Sequence, residues 1–418
     1  MISHSREYII HVMKYKSDFM NLISERGLLY QCTDPAAVDG LLSKGKPESA
    51  YWGTDPTADA LHVGHLASFS IMRFLQKTGH RPIILIGGAT GLIGDPSGKD
   101  SGRPLMDAAV MRKNMAGIKK SLSRFFRFGD GPGDALLVNN YDWTKDVKYL
   151  DFLRDYGRHF SVNEMIKKDS VRLRLEREQP MSFLEFNYSL LQAYDFVTIY
   201  RLYGARLQVE GADQWGNIVA GVELGRRLGL ELYGLTNPLI TDSSGKKFGK
   251  SAGNAVWLDE EKTSNHDYYQ FWRNVDDRDV GRMLRVFTDL PIPEIARLEK
   301  LKGAEVNEAK KILDFEATRI CRGEAAAKSA SATAAATFEQ KTAGDDLPSF
   351  PFVKGESVID AFVRTRLAAS KSEAKRLLSG GGLYIGGEKV QDAGALVPHG
   401  AEPLILSAGK KSKAVLKP

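Results

Sequence analysis

The sequence predicts a mixed α/β protein: a parallel-sheet domain, then a helical domain, then a small α+β unit. Three observations predict it. Between residues 45 and about 249, short β-type runs such as Ile83-Ile84-Leu85-Ile86 alternate with longer helix-like segments such as 66–78, joined by glycine-rich turns. After Ser251 glycine thins out, and leucine, isoleucine and aromatic residues recur at helical spacing through 264–299 and 305–339. From 357 to about 407 come an amphipathic helix, a basic helix over 370–379, three glycines and the β-type pieces Leu383-Tyr384-Ile385 and Leu404-Ile405-Leu406.

In chain order, residues 1–44 read as an N-terminal extension and helical lead-in, and 45–251 as the α/β domain. Within it, 142–177 is denser in charge and helix formers, which suits an insertion between two halves of the sheet. Residues 252–343 read as the helical domain, and the alanine-rich run EAAAKSASATAAAT (324–337) as a thin terminal helix, because alanine has the best helix propensity. Residues 344–356, with Asp345, Asp346, Pro348 and Pro351, read as a linker. Residues 357–418 form the small unit, closed by a basic tail with Lys410, Lys411, Lys413 and Lys417.

A length of 418 residues suits two to three domains at about 150 residues each. Hydrophobic residues at 43% and charged residues at 26% set aside disordered, fibrous and membrane-embedded classes. The 58 lysines and arginines exceed the 52 aspartates and glutamates by six, a mild excess compatible with a polyanionic partner. Cys32 and Cys321 have no metal-ligand spacing, so neither zinc nor a disulfide framework is expected, and a reducing cytoplasm is. The opening residues lack a secretory pattern. The longest apolar stretch, 82–94, is too short for a bilayer and carries four glycines, so no membrane partner is expected.

Chemistry concentrates in a few stretches. In YWGTDPTADALHVGHL (51–66) a strand meets the turn Asp55-Pro56-Thr57 and then a helix entered through His62-Val63-Gly64-His65. A helix start offers unpaired N–H groups and partial positive charge, so a phosphate is stabilised there, and Gly64 leaves room for a flat base. The bland alternative is a packed pair of histidines. In LITDSSGKKFGKS (239–251), Lys246, Lys247 and Lys250 sit on a loop punctuated by glycine, able to follow a phosphate whose charge grows, or else simply solvated. A P-loop fails here, since Ser244 stands where the motif needs glycine. It fails again in GGATGLIGDPSG (87–98), which better places Thr90 and Asp95 at the carboxyl edge of the sheet. In YSLLQAYD, Tyr188, Gln192 and Asp195 share one helix face, forming a binding wall or a helix edge, and QVEGADQWGN (208–217) gathers further amides and carboxylates.

In this order, these motifs resemble the bacterial tyrosyl-tRNA synthetases, a class I aminoacyl-tRNA synthetase family, over most of the chain. HVGH matches the family's His-Ile-Gly-His signature, and KFGKS its Lys-Met-Ser-Lys-Ser type motif. SKSEAKRLL with GGGLYIGGEKV is similar to an RNA-binding module named after a small-subunit ribosomal protein. The resemblance implies a Rossmann-like catalytic domain, a helical domain that meets the anticodon arm and a small RNA-binding domain.

It also implies a two-step ligase reaction. Tyrosine carboxylate attacks the α-phosphate of ATP, pyrophosphate leaves, and the tyrosyl group then passes from the adenylate to tRNA with release of AMP; Mg²⁺ accompanies ATP. By resemblance, Thr57, His62, His65, Lys247 and Lys250 are catalytic, gripping the phosphates. Tyr51 and Asp195 meet the phenol hydroxyl, Asp95, Tyr188 and Gln192 the ammonium group, Gln208 the pocket wall, and Gln214 the carboxylate or α-phosphate. Gly53, Asp55, Gly64, Ser68, Gly211 and Asp213 join the two lysines around ATP. Trp52 stands beside the ribose where relatives commonly carry a smaller residue, and its indole either stacks there or turns away. Lys371, Lys375 and Arg376 are expected to bind tRNA, and Phe183 to lie in a homodimer interface; DNA, membrane and a protein-held metal are not expected. The competing readings are the related tryptophan enzyme and a non-catalytic RNA-binding protein that keeps the fold.

Overall fold

The structure, a computed structural model, describes residues 14–95, 107–245, 248–251, 254–335, 347–398, 403–409 and 412–418. Lys246, Lys247, Lys410 and Lys411 lie outside them. The chain divides into two compact units, one made of residues 1–250 and 285–293, the other of 251–284 and 294–418.

The first unit begins with α1 (Asp18–Glu25), β1 (Gln31–Cys32), α2 (Pro35–Leu42), β2 (Ser49–Thr54), α3 (Val63–Lys77), β3 (Arg81–Ile86), α4 (Ala108–Leu122) and β4 (Leu136–Asn139). The charged insertion then folds as α5 (Tyr141–Thr144), α6 (Tyr149–Asp155), α7 (Val162–Ile166), α8 (Asp169–Glu176) and α9 (Phe183–Phe186). After it come α10 (Tyr188–Tyr203), β5 (Leu207–Gly211), α11 (Trp215–Arg227) and β6 (Tyr233–Asn237). The sheet order is β1-β6-β5-β2-β3-β4, parallel from β6 to β4. β1 differs from the sequence reading: the lead-in supplies an antiparallel edge strand beside β6 as well as helices.

Side chains alternate across the pleat, so neighbouring residues on β2 face opposite layers. Tyr51 packs with Ile83, Leu85, Phe196 and Leu224 beneath α10 and α11. Trp52 packs edge-on against Phe69 of α3, 5.8 Å between ring centres, with 2% of its surface exposed. The indole has turned into the core. Strands covered on both faces explain the unbroken apolar run 83–86.

After the short strands β7 (Lys250–Ser251) and β8 (Asn254–Ala255) come α12 (Asn265–Arg273), α13 (Val280–Phe287), α14 (Ile292–Leu298), α15 (Val306–Arg322) and α16 (Glu324–Ala335); α12, α15 and α16 lie in the second unit, and the end of α13 and the start of α14 bound the stretch 285–293 that belongs to the first. Inside this bundle, Arg322 donates to the carbonyls of Trp257 and Thr263 and lies over the Tyr268 ring. The C-terminal part has β9 (Ser349–Pro351), α17 (Val358–Arg364), α18 (Lys371–Ser379), β10 (Leu383–Ile385), β11 (Glu388–Lys389), β12 (Leu404–Ala408) and β13 (Ser412–Lys417). Its sheet runs β11-β10-β12-β13-β9 over a core of Val358, Phe362, Leu383 and Leu406. The end of the basic tail of the sequence reading is a strand: Lys413 and Lys417 belong to β13, where they flank the buried run Ala414, Val415 and Leu416.

Residues 285–293 fall inside the sequence's helical stretch yet pack with the first unit. Arg26 explains this. Its guanidinium donates to the carbonyls of Arg285, Thr288 and Leu290 and stacks on Phe74, while Arg73 and Lys77 hold Asp289. Those carbonyls sit at and beyond the end of α13, where helical acceptors have no partner in the helix. Arg26→Ala removes three charge-assisted hydrogen bonds and the stacking on Phe74, so urea unfolding of the variant is expected to show a loss of about 3 kcal/mol or more; a loss under about 1 kcal/mol contradicts this role.

Candidate active site

β2 pairs with β3 along its whole length, to Thr54 opposite Ile86. Its ladder with β5 has two rungs, Ala50 opposite Leu207 and Tyr51 opposite Gln208, while β5 stays with β6 as far as Gly211 opposite Asn237. The strands part beyond Tyr51 and Gln208. The sheet thus opens as a fork on its carboxyl edge, at the switch point where successive strands begin to run outward in opposite directions, and α/β sheets bind ligands there.

Four short segments converge on this edge. The turn after β2 carries Asp55 and the exposed Thr57, and the first turns of α3 carry Gly64, His65 and Ser68. The segment after β3 carries Thr90 and Asp95, and the 3₁₀ turn after β5 carries Asp213 and Gln214. Tyr188, Gln192 and Asp195 lie along the first two turns of α10.

The two histidines build the start of α3. His62 is its N-cap, and its Nδ1 accepts from the Gly64 N–H at 3.0 Å, while Nδ1 of His65 accepts from the His62 N–H at 3.2 Å. A ring nitrogen that accepts carries no proton, so this hydrogen-bond network assigns both imidazoles the tautomer protonated at Nε2. Burial and the neighbouring His62 push His65 down to about 3, so it stays neutral. The pair is a capping box whose two Nε2–H donors remain beside a helix N-terminus.

Glycines let the second signature dock here. Gly249 has φ +94°, and a Cβ on it would lie 2.5 Å from the Gly64 nitrogen; a Cβ on Gly64 would lie 3.3 Å from the Phe248 carbonyl. Only backbone fits between the motifs. The Phe248 ring stacks on Phe287, 5.8 Å between centres and 18° from parallel, which anchors the loop. Lys250 opens the short strand Lys250–Ser251, and Lys247 lies outside the described residues.

A polar network fills the base of the site. Asn140 donates to Asp195 (2.9 Å) and to Thr90 (3.0 Å), Trp143 Nε1 donates to Asp195 (2.8 Å), and Thr90 donates to Asp55 (2.9 Å). Tyr188 donates to the other oxygen of Asp55 at 3.2 Å, so both residues are engaged with each other. Gln214 donates to Asp95 at 2.7 Å and accepts from Asn217 at 3.0 Å, which fixes which end of its amide is the donor. Burial pushes Asp195 up to about 7 against the two hydrogen bonds it accepts. Tyr51 and Tyr188 are raised well above the usual phenol range, by burial first and by neighbouring carboxylates second.

Two groups are left over. The Tyr51 hydroxyl and both amide atoms of Gln208 are buried without a hydrogen-bond partner, and these residues form the last rung below the fork. Such burial is unfavourable unless a ligand supplies the partner.

Asn140, Trp143, Asn217 and Glu210 were missed by sequence reasoning. Asn140 had a signal, since it directly follows β4 at the carboxyl edge. Trp143 reaches Asp195 across 52 residues, and no local pattern marks that contact. Phe183 is 69% exposed on α9, away from the network described. On α18, Lys371 pairs with Asp360 and Arg376 with Glu373, both cations largely exposed, and Lys375 is exposed.

Among the described residues, no helix is long and apolar enough to cross a membrane. A family model for class I tRNA synthetases (W and Y) matches residues 43–339, and an S4 domain model matches residues 359–402. A tyrosine-tRNA ligase of Rhodospirillum rubrum is 54% identical over 413 residues, covering 96% of this chain and 98% of its own. One from Zymomonas mobilis is 51% identical over 406 residues, covering 97% and 99%. Among solved structures, a C-terminally truncated mitochondrial tyrosyl-tRNA synthetase of Aspergillus nidulans superposes with a TM-score of 0.68 at 31% identity, covering 78% of this chain and 94% of that one. With a family model over most of its length and relatives of this identity from end to end, the chain belongs to the tyrosine-tRNA ligase family of class I tRNA synthetases.

Proposed function

We propose that this chain joins L-tyrosine to its cognate tRNA at the expense of ATP, through a tyrosyl-adenylate, with the fork as the site of both steps. The observation that carries the tyrosine assignment is the buried, unpaired Tyr51 hydroxyl, close enough to Asp195 for that carboxylate to act on it. A phenol hydroxyl can donate to one and accept from the other. Phenylalanine would leave the Tyr51 hydroxyl without a partner and give Asp195 no donor beyond Asn140 and Trp143, and an indole presents a donor without an acceptor.

The chemistry asks little of acids and bases. The tyrosine carboxylate is already ionised at neutral pH, so no general base is needed, and the barrier lies in holding two anions together while pyrophosphate leaves. The α3 N-terminus, the neutral Nε2–H donors of His62 and His65, and the Thr57 hydroxyl stabilise charge that grows on the phosphates without a fixed cation before reaction. Lys247 and Lys250 supply the positive charge from a loop. Gln214, its amide oriented by Asn217, donates to the reacting carboxylate or α-phosphate. Asp95, Tyr188 and Gln192 surround the ammonium group, and Gln208 completes the tyrosine pocket. Gly53, Asp55, Gly64, Ser68, Gly211 and Asp213 receive the nucleotide, and Mg²⁺ arrives with ATP as part of that substrate.

Lys371, Lys375 and Arg376 on α18 bind tRNA phosphates, which replace the exposed partners Asp360 and Glu373. The helical domain meets the anticodon arm. The working form is a cytoplasmic homodimer: Leu150, Val162, Leu175 and Phe183 of the insertion are each more than half exposed, an apolar surface that suits an interface. Sedimentation is expected to show a dimer, and Phe183→Asp a monomer; a wild-type monomer contradicts the assembly.

Asp195 gives a pH test. A carboxylate accepts a phenol hydrogen bond better than the neutral acid, so the KM for tyrosine at saturating ATP is expected to fall as pH rises through about 7. Asp195→Asn should raise that KM about tenfold at pH 8 and flatten the profile. Because folding raises this acid's pKa, its effect on stability is absent below about pH 4, grows as pH rises and is complete above about 7, always destabilising; the Asn variant lacks it. A KM profile unchanged by Asp195→Asn contradicts phenol recognition at this residue.

A further inference from the structure

Glu210 has no part in the reaction as described above, yet it is the buried acid at the mouth of the fork. It is 6% exposed, at the penultimate position of β5, where β5 has left β2 and remains paired with β6 through Thr236. Its Oε1 accepts the Gly53 N–H at 2.7 Å. The last rung between the strands is Tyr51 opposite Gln208, so two residues further out a side chain replaces the backbone acceptor that a continuing ladder would have provided. A Cβ at residue 53 would sit at an ordinary contact distance of 3.5 Å from Oε1, so it is the backbone N–H of residue 53, and not the lack of a side chain there, that this bridge uses.

We infer that Glu210 is a positioning residue of the nucleotide site, a bridge that sets the separation of β2 and β5 by holding the Gly53 N–H across the fork. The inference rests on the placement of ATP at Gly53, Gly211 and Asp213. A buried carboxyl normally finds a cation. The charged groups that act on Glu210 are instead Asp213 and Asp95, with the Gln208 amide beside it, and burial raises it well above the ordinary glutamate range. What it contributes here is an acceptor oxygen for the Gly53 N–H. The Gly53 nitrogen is the next on its side of β2 beyond the tyrosine pocket, so its position controls the nucleotide half of the site and leaves the rung at Tyr51 in place.

The test is tyrosine-dependent exchange of labelled pyrophosphate into ATP, with the KM for ATP and for tyrosine measured separately in the full-length chain. Glu210→Ala is expected to raise the KM for ATP about tenfold while that for tyrosine stays within about twofold, and Glu210→Gln, which keeps the acceptor oxygen, to restore it. Glu210→Asp keeps the acid but shortens its reach, carries the same expectation as alanine, and replaces it if the alanine variant does not fold. Unchanged KM for ATP in these variants overturns the inference. So does an equal rise in both KM values with a lowered melting temperature, or failure of glutamine to rescue. Asp213→Ala separates the two levels of argument: no effect on the KM for ATP means the nucleotide placement is wrong, whereas an increase there without one in Glu210→Ala removes Glu210 alone.

Discussion

The parting of β2 from β5 is the constraint on which the site depends. Up to Tyr51 and Gln208 the strands satisfy each other's backbone groups; beyond that rung they cannot, and every polar group along the opening needs another partner. Glu210 takes one N–H across the gap. The neighbouring segments bring their own polar groups to the same carboxyl edge, where a ligand has room. A sheet closed along its length would bury Tyr51 and Gln208 with no opening above them.

Around that opening the electrostatics are arranged for anions without committing positive charge in advance. The Nδ1 atoms of both histidines at the start of α3 accept backbone N–H groups, and this capping role fixes how the rings are turned. The close contact between Gly64 and Gly249 brings the backbone of the KFGKS motif against the start of α3. Two of the carboxylates, Asp55 and Asp195, are tied to Thr90, Tyr188, Asn140 and Trp143.

Much of this was legible from local patterns. The strand 83–86, the helix beginning after His62, the shared face of Tyr188, Gln192 and Asp195, and the small unit's basic helix all follow from periodicity and turn residues. What was not legible involves partners distant in sequence. Trp143 binding Asp195, Arg26 gripping the carbonyls after α13, and the assignment of 285–293 to the first unit have no signature in a short window. The basic tail misled for a related reason: a short apolar run between lysines looks like a solvated end until strands pair with it on both sides and bury it. Trp52 could not be oriented until the pleat assigned it to the side of α3.

The central claim is that the fork recognises a phenol hydroxyl and activates the amino acid that bears it. Pyrophosphate exchange with tyrosine, tryptophan and phenylalanine, each supplied alone at the same concentration to the folded protein with ATP and Mg²⁺, tests it most directly. The account predicts exchange with tyrosine and very little with the other two. Exchange with tryptophan or phenylalanine at a comparable rate would contradict the hydroxyl-based selectivity, and none with any of the three would contradict activation at this site.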